Sequence, residues 1–299
     1  MDIDSDFYGD EEVKSDLTRR VEQLDTQMWW DGRRAAAPVP QSRQQETPDT
    51  SHLHNAYDGV PHAWQLSETL DDFFSRLPPL TTIASPDTPW IYICNPHVVR
   101  KHKSDGQNQH SKGNENEGTE EEGSNLAVAN EGGMERLHIL SNFIRGALTM
   151  GGGSAAVMRD VENEKQAATG DILNLAWACK VRCGKWMIFC DPKIVNDTWE
   201  IVARATANNE LGIAAKVAPC PDESLRYRER LICVYTKDFA DRRDVGRVIR
   251  RLRELRLVEA RGKTLYYKPD IFTYIGLDSG NPWGLRSSIY SSRDVFPST

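Results

Sequence analysis

The amino-acid sequence predicts an α+β protein in which helices pack on one face of a mixed or antiparallel sheet. Between residues 134 and 296, amphipathic helical segments alternate with short apolar strands. The connections are too short and irregular for a long series of parallel crossovers. Charged residues make up 27% of the chain and apolar residues 39%, so we expect that part of the chain lies outside any core.

The N-terminal third contributes only a few elements to this domain. Residues 1–60 are predicted to be mostly flexible, apart from a candidate amphipathic helix over 16–30. Residues 61–100 supply the first elements of the domain. Apolar residues recur at helical spacing over 64–77, and the apolar run from Trp90 to Cys94 lies between two prolines, which is typical of a short buried strand.

Residues 101–133 are a segment of low complexity, rich in Gly, Asn, Glu, Ser, Gln and Lys. The segment has almost no large apolar side chain. It therefore cannot bury enough surface to offset the conformational entropy that it would lose on ordering. We predict that it is a disordered insertion between the first elements and the main domain.

The main α+β domain is predicted over residues 134–296. Its helices are marked by apolar residues three and four positions apart. The predicted helices cover residues 134–150, 171–183, 192–203 and 241–257. The predicted strands cover residues 185–190, 214–218, 231–236 and 264–268.

Composition disfavours several classes of protein. No apolar stretch reaches the roughly 18 residues of a membrane helix, and the acidic segment from Met1 to Glu12 lacks the pattern of a secretory signal. The 6 cysteines do not have the paired spacing of a zinc site. We therefore expect free thiols in the reducing cytosol or nucleus, and neither a metal, a cofactor nor a membrane partner.

Positive charge is concentrated in one part of an acidic chain. The segment from Arg226 to Lys268 contains 14 Lys and Arg against 6 Asp and Glu, whereas the whole chain has a net charge of -7. Many of these arginines fall on the predicted helix over 241–257. They form either a phosphate-binding face or an ordinary solvated helix face.

Two lysines interrupt apolar strands. Lys185 begins the predicted strand over 185–190, and Lys216 lies in the middle of the run Ala-Ala-Lys-Val-Ala. A buried ammonium group is unfavourable unless it faces a cleft or an anion, although a lysine on an edge strand can also extend its end into water. Aromatic residues near these strands could stack on a base: Trp186, Tyr235, Tyr266, Tyr267, Tyr274 and Trp283.

No recognisable catalytic motif is present, but the order of several short strings is distinctive. They are Gly184–Met187, Trp199–Ala205, Ala215–Pro219, Cys233–Phe239, Tyr267–Asp270 and Tyr290–Arg293. In this order they resemble the basophilic leukaemia expressed protein family, which has no settled activity. The fold of that family is similar to that of the cap-binding translation initiation factor 4E. The resemblance therefore implies a curved, mostly antiparallel sheet backed by helices.

A fainter resemblance is to bacterial phosphothreonine lyases, which carry lysine-bearing strands in the same order. The resemblance implies that Lys185 contacts a phosphate and that Lys216 acts as a general base. Tyr235 and Lys237 fall on the third motif of those enzymes, and Arg293 falls on a late phosphate-binding arginine.

The lyase resemblance fails at one position. Met187 stands where the lyases have the histidine that acts as general acid, and a thioether cannot donate a proton. We therefore expect a non-catalytic binding module with a basic cleft for a phosphate-bearing ligand, either a nucleotide, RNA or a phosphopeptide. The candidate ligand-binding residues are Lys185, Lys216, Tyr235, Lys237, Trp283 and Arg293.

Two alternatives stay open. One is a lyase-like enzyme in which another side chain, such as Tyr235, replaces the missing acid. The other is an interaction scaffold whose partners bind the low-complexity segments.

Overall fold

The computed structural model describes residues 15–16, 18–19, 52–99, 123–151, 154–225, 227–258 and 262–296. The chain forms two compact units, Met1–Thr50 and Ser51–Thr299. In the first unit the four described residues are helical. Most of the predicted helix over 16–30, and the flexibility predicted for this region, lie outside the described residues.

The second unit contains seven helices and six strands within its described residues. The helices are α1 (Leu70–Arg76), α2 (Leu126–Gly151), α3 (Ala155–Ala178), α4 (Val195–Ala207), α5 (Arg242–Glu254), α6 (Asp270–Tyr274) and α7 (Ser292–Val295). The strands are β1 (Ile91–Cys94), β2 (Gly184–Cys190), β3 (Ala214–Val217), β4 (Arg230–Thr236), β5 (Tyr266–Pro269) and β6 (Tyr290–Ser291). Short 3-10 turns cover Pro192–Ile194 and Glu223–Leu225.

All six strands belong to one open, curled sheet in the order β1-β3-β4-β2-β5-β6, and every neighbouring pair is antiparallel. The predicted α+β class and antiparallel sheet are confirmed. The likeness to initiation factor 4E stays a prediction. None of the helices in the described part of the chain is long and apolar enough to cross a membrane.

The main core lies between the helices and one face of the sheet. Because successive side chains of a strand point to opposite faces, Trp186 and Ile188 of β2 face the helices together with Val234 of β4. Trp199 of α4 and Ile249 of α5 pack in the same cluster. The predicted arrangement of helices on one face is thus confirmed.

The opposite face is partly covered by the segment that precedes β1. Tyr57, Val60 and Ala63 are buried against Tyr92 and other residues of this face. The backbone N–H of Tyr92 donates to His62 O at 3.0 Å, and the N–H of Trp64 donates to Tyr92 O at 3.0 Å. These contacts place residues 52–60 within the folded unit, where the sequence predicted flexible chain. Isolated apolar residues in a polar context give little periodic signal.

Two helices begin earlier than predicted. Helix α2 begins at Leu126, so the predicted insertion over 101–133 is too long at its C-terminal end; residues 101–122 lie outside the described residues. Helix α3 begins after Ser154, whose side chain accepts from Val157 N–H, so it starts about four and a half turns before the predicted start at residue 171. Small and polar residues fill these first turns, so apolar periodicity does not reveal them.

Candidate functional site

The face of the sheet that points away from the helices carries three lysines on three different strands. Lys216 of β3 stands opposite Cys233 of β4, and Lys185 of β2 stands opposite both Tyr235 of β4 and Lys268 of β5. All three lysines act electrostatically on the Cys233 thiol. We call these five residues the lysine face.

Lys185 is held at the centre of the lysine face by an ion pair. Its Nζ donates to Asp270 Oδ1 at 2.8 Å and to Thr273 Oγ1 at 3.1 Å, and both side chains of the ion pair are almost fully buried. Burial acts to lower the pKa of Lys185, but the Asp270 carboxylate and its hydrogen bond, together with Cys233 and Cys183, raise this pKa above its ordinary value. Lys185 is therefore an ammonium group at neutral pH, suited to binding an anion and unsuited to accepting a proton.

Lys216 is surrounded by aromatic rings. Its Nζ lies 4.2 Å from the ring centroid of Trp90, 5.8 Å from that of Tyr92 and 5.8 Å from that of Tyr235. These distances are within the range of cation–π interactions, which stabilise an ammonium group in a partly dehydrated place. Trp90 immediately precedes β1, so the ring that lies nearest to Lys216 comes from the far side of the predicted insertion.

Tyr235 lies between the first two lysines. Its ring centroid is 5.5 Å from Lys185 Nζ and 5.8 Å from Lys216 Nζ, and the residue is fully buried. Cys233 lies two residues before Tyr235 on β4. Burial raises the pKa of its thiol, although the nearby charges of Lys185 and Lys216 act to lower this pKa. Cys233 is therefore a thiol at neutral pH and not a candidate nucleophile.

Lys268 is the residue of the lysine face that lies on β5. Its Nζ donates to Asp278 Oδ1 at 2.6 Å. The exposure of the two side chains is very unequal, 7% for Lys268 and 78% for Asp278. A buried ammonium group is thus paired with a carboxylate that belongs to the solvent-exposed surface.

Sequence reasoning missed Lys268, Trp90 and Asp270. Lys268 lies in the predicted strand over 264–268, and its position two residues after Tyr266 puts it on the same face. The sequence therefore shows that Lys268 and Tyr266 share one face of β5. It does not show that this is the face that carries Lys185, because that depends on the register of β5 against β2. Nothing in the sequence links Trp90 or Asp270 to the lysines that they contact.

The other residues predicted to bind ligand lie elsewhere. Lys237 is exposed just after the end of β4 and makes no ion pair with any described residue. Trp283 is half-buried against the core on the helix side of the sheet. Arg293 is exposed on α7, which packs against α5. Only Lys185, Lys216 and Tyr235 of the predicted set come together.

Part of the lysine face continues as an open apolar surface. Met187 of β2 stands opposite Cys233 and Tyr266, and it is half-buried. Phe189 and Tyr266, on the same side of the sheet, are 50% and 47% exposed. Tyr266 is two residues from Lys268 on β5, whereas Phe189 is four residues from Lys185 on β2. Both rings are open to solvent, so a ligand can reach them. Within the described ranges, no three His, Cys, Asp or Glu side chains are grouped to hold a metal.

The fold and this site together define a class: an α+β protein with one antiparallel sheet, helices on one face and a buried lysine cluster on the other. A family model described as Basophilic leukemia-expressed protein Bles03 matches residues 17–276. This range is most of the chain, which therefore belongs to that family. The match includes Lys185, Lys216 and Lys268 and ends before Asp278.

The predicted resemblance to this family is thus confirmed. The match begins at residue 17, far closer to the N-terminus than Gly184, where the first of the resembling strings begins. Trp283 and Arg293 lie outside the matched residues. The fainter likeness to phosphothreonine lyases stays a prediction.

Proposed function

We propose that the protein is a non-catalytic binding module whose lysine face holds the phosphate of a phosphate-bearing ligand. The proposal is supported by the arrangement of Lys185, Lys216 and Lys268 around Cys233. Ammonium groups recognise phosphate as point charges, and neighbouring backbone strands hold these three in fixed positions.

The positions of Lys185 and Lys268 favour an anionic partner. They are directly opposite each other on β2 and β5, and like charges in cross-strand pairs destabilise a sheet. Removing an ammonium group from water also costs several kcal/mol unless an anion compensates it. Asp270 and Asp278 already supply one anion to each lysine. A ligand phosphate in place of the Asp278 carboxylate would bring more negative charge to the same position.

The single observation that carries the proposal is the pairing of Lys268 with Asp278. The Asp278 carboxylate needs little further hydration to leave the lysine, because its side chain is already 78% exposed. Lys268 has no such freedom, because its side chain is 7% exposed. A phosphate oxygen can therefore take the place of the Asp278 carboxylate while the lysine stays fixed.

Among the candidate ligands, the exposed rings favour a nucleotide. Tyr266 precedes Lys268 by two residues on β5 and projects from the same face. Two residues of strand separate positions by about 7 Å. A base stacked on Tyr266 would therefore have its phosphate close to Lys268, and stacking on aromatic rings is tolerant of base identity.

The test is a ligand panel followed by calorimetry. The melting temperature, Tm, would be measured with inorganic phosphate, nucleoside monophosphates and triphosphates, a cap analogue, a short RNA and a phosphothreonine peptide. We expect nucleotides to raise Tm, and Lys268→Met to remove that increase. The matched control is Lys193→Met, which changes an exposed lysine in the 3-10 turn.

Two results would count against the proposal. One is the absence of any Tm increase across the panel at millimolar ligand. The other is a Lys268→Met protein that binds every ligand as tightly as the wild type and differs only in stability.

A second candidate function is elimination of phosphate from phosphothreonine, favoured by the position of Tyr235 between Lys185 and Lys216. In this reaction the neutral amine form of Lys216 would take the Cα proton. The electron pair would form the Cα=Cβ bond as the Cβ–O bond breaks, and Tyr235 would protonate the leaving phosphate beside Lys185. Mass spectrometry of a phosphothreonine peptide would then show a dehydrated product that Tyr235→Phe abolishes. An unchanged peptide mass with the wild type would exclude this activity.

A further inference from the structure

A second basic surface lies on the helix side of the sheet. It consists of the exposed arginines Arg242, Arg243, Arg250 and Arg253 of α5 and Arg293 of α7, which we call the arginine surface. Residues 241–256 contain 7 arginines against 3 carboxylates. The surface shares no residue with the lysine face.

The core fixes which side of α5 faces water. Val245, Val248, Ile249 and Leu252 are buried in the main core, so the helix cannot rotate without exposing them. Every exposed residue of α5 is charged. The arginines are therefore presented outward by the packing of the opposite side of the helix.

The arginines of α5 differ in their partners. Arg247 is paired with Asp244, and Arg251 is paired with Glu210 and Glu254. The charges of these two arginines are therefore paired within the protein. In contrast, none of the five residues of the arginine surface has a carboxylate partner among the described residues, and this positive charge faces solvent.

Aromatic rings hold two of the guanidinium groups in place. Arg242 lies over the ring of Tyr290 at 5.9 Å, and Arg253 lies over the ring of Phe296 at 4.4 Å. The Tyr290 hydroxyl donates to Phe239 O at 3.2 Å, which anchors that ring. Arg293 lies between Tyr290 and Phe296 in the chain, so α7 runs beside α5 and adds its own arginine to the surface.

We propose that the arginine surface binds the phosphate backbone of a nucleic acid. Arg243 and Arg250 are seven residues apart on one helix, which is about 10 Å. Side chains that extend outward from positions with this separation reach different phosphates of a polymer more readily than one shared phosphate. Guanidinium groups bind phosphate oxygens through paired N–H donors and stack on bases, so arginine is better suited to this partner than lysine.

The observations favour a nucleic acid over an acidic membrane. A helix that binds a bilayer surface inserts its apolar side between the lipids. The apolar side of α5 is inside the core, and its outer side offers no apolar residue for insertion. A partner of this surface must therefore be recognised through charge and stacking alone.

The experiment measures binding of a fluorescein-labelled uridine oligonucleotide by anisotropy over a range of salt concentrations. The variant is Arg243→Gln/Arg250→Gln. The control is Arg145→Gln/Arg159→Gln, which removes the same charge from exposed positions on α2 and α3. Both pairs of positions are exposed, and circular dichroism and Tm would verify that each protein folds.

Each phosphate contact to a single strand contributes about 0.7 to the slope of log K against log salt. Loss of two contacts should lower the magnitude of this slope by about 1.4 and weaken binding about 25-fold at about 0.1 M salt. The control variant should bind within about twofold of the wild type, because distant surface charges are screened.

Three outcomes would overturn the proposal. The first is no oligonucleotide binding by the wild type at low salt, including the case in which it binds phosphatidylserine vesicles instead. The second is equal weakening in the variant and the control. The third is loss of oligonucleotide binding in Lys268→Met with no change in Arg243→Gln/Arg250→Gln, which would assign the polymer to the lysine face.

Discussion

Lys185 and Lys268 stand directly opposite each other on β2 and β5, and each ammonium group donates to a different carboxylate. The Asp270 partner of Lys185 is buried, whereas the Asp278 partner of Lys268 is exposed to solvent. We therefore expect the first pair to be a fixed part of the fold and the second to be the one that could exchange its anion. This difference leads to separate expectations for the two aspartates.

Asp270→Asn should strongly destabilise the fold, because it leaves Lys185 as an unpaired buried charge. Breaking a buried pair in this way costs about 3–5 kcal/mol in the free energy of unfolding. Urea denaturation would measure this loss in the free energy of unfolding. The matched control is Asp71→Asn, which breaks the exposed pair with Arg204 and should cost less than about 1 kcal/mol. Equal losses in the two variants would contradict this account of Asp270.

Asp278→Asn should increase the affinity for phosphate-bearing ligands, because it removes the carboxylate that competes for Lys268. The same change should lower stability without ligand, since a buried ammonium group loses its partner. The Tm increase produced by inorganic phosphate would be compared between the variant and the wild type. An increase no larger than that of the wild type would show that Asp278 does not occupy the ligand position.

Trp90 and Lys216 should be energetically coupled. Their separation of 4.2 Å between ring centroid and Nζ corresponds to a cation–π interaction of about 0.5–2 kcal/mol. A double-mutant cycle with Trp90→Ala and Lys216→Met, read by urea denaturation, isolates this coupling energy. A coupling energy indistinguishable from zero would mean that Trp90 contributes to the site by packing alone.

Gly212 should tolerate no side chain, because a Cβ at this position would lie 1.8 Å from the backbone oxygen of Tyr235. Gly212→Ala must therefore displace β4 at Tyr235, which lies between Lys185 and Lys216. We expect overpacking to lower the free energy of unfolding by about 1–3 kcal/mol. Gly146→Ala is the control, since no atom outside the neighbouring backbone of its own helix lies within 4 Å of the added Cβ and alanine favours a helix interior. Denaturation midpoints should move in opposite directions for the two variants.

His62 should make stability depend on pH. Burial lowers the pKa of His62 below its ordinary value of 6.5, and the opposing effect of Asp87 is smaller. The unfolded chain therefore takes up a proton at a pH where the folded protein does not. Stability from this group is complete above pH 6.5 and is lost as the pH falls below that value.

The measurement for His62 is the change in Tm between about pH 7.5 and pH 5.5. The wild type should lose more stability over this interval than His62→Phe. The exposed His138 provides the control, since His138→Phe should retain the pH dependence of the wild type. A wild-type profile reproduced by His62→Phe would rule out His62 as its source.

The sequence was informative where local pattern decides structure. Short apolar runs predicted β1 to β5 closely, and the regular stripe of Val245, Val248, Ile249 and Leu252 predicted α5. The lysine in Ala-Ala-Lys-Val-Ala was identified as unusual because its neighbours were apolar. Such features depend on residues within one element, so they are visible in the sequence alone.

The rest of the site depends on contacts between distant elements. Lys185 and Lys268 are joined by strand register, and Lys216 meets Trp90 through β1, which comes from the other side of a long interruption. Arg293 was grouped with the lysines by resemblance, but packing of α7 against α5 places it with other arginines. No local pattern encodes which of these elements are neighbours in the fold.

The edge strand β1 has a consequence for how the chain reaches its native state. Ile91 pairs with Val217, so this pairing closes a loop of well over one hundred residues, a late and slow type of contact during folding. Trp90 and Tyr92 complete the ring enclosure of Lys216 only when this closure occurs. A chain that has formed β2 to β5 alone therefore has all three lysines but only the Tyr235 ring near Lys216, so we expect it to bind the proposed ligand more weakly than the fully folded protein.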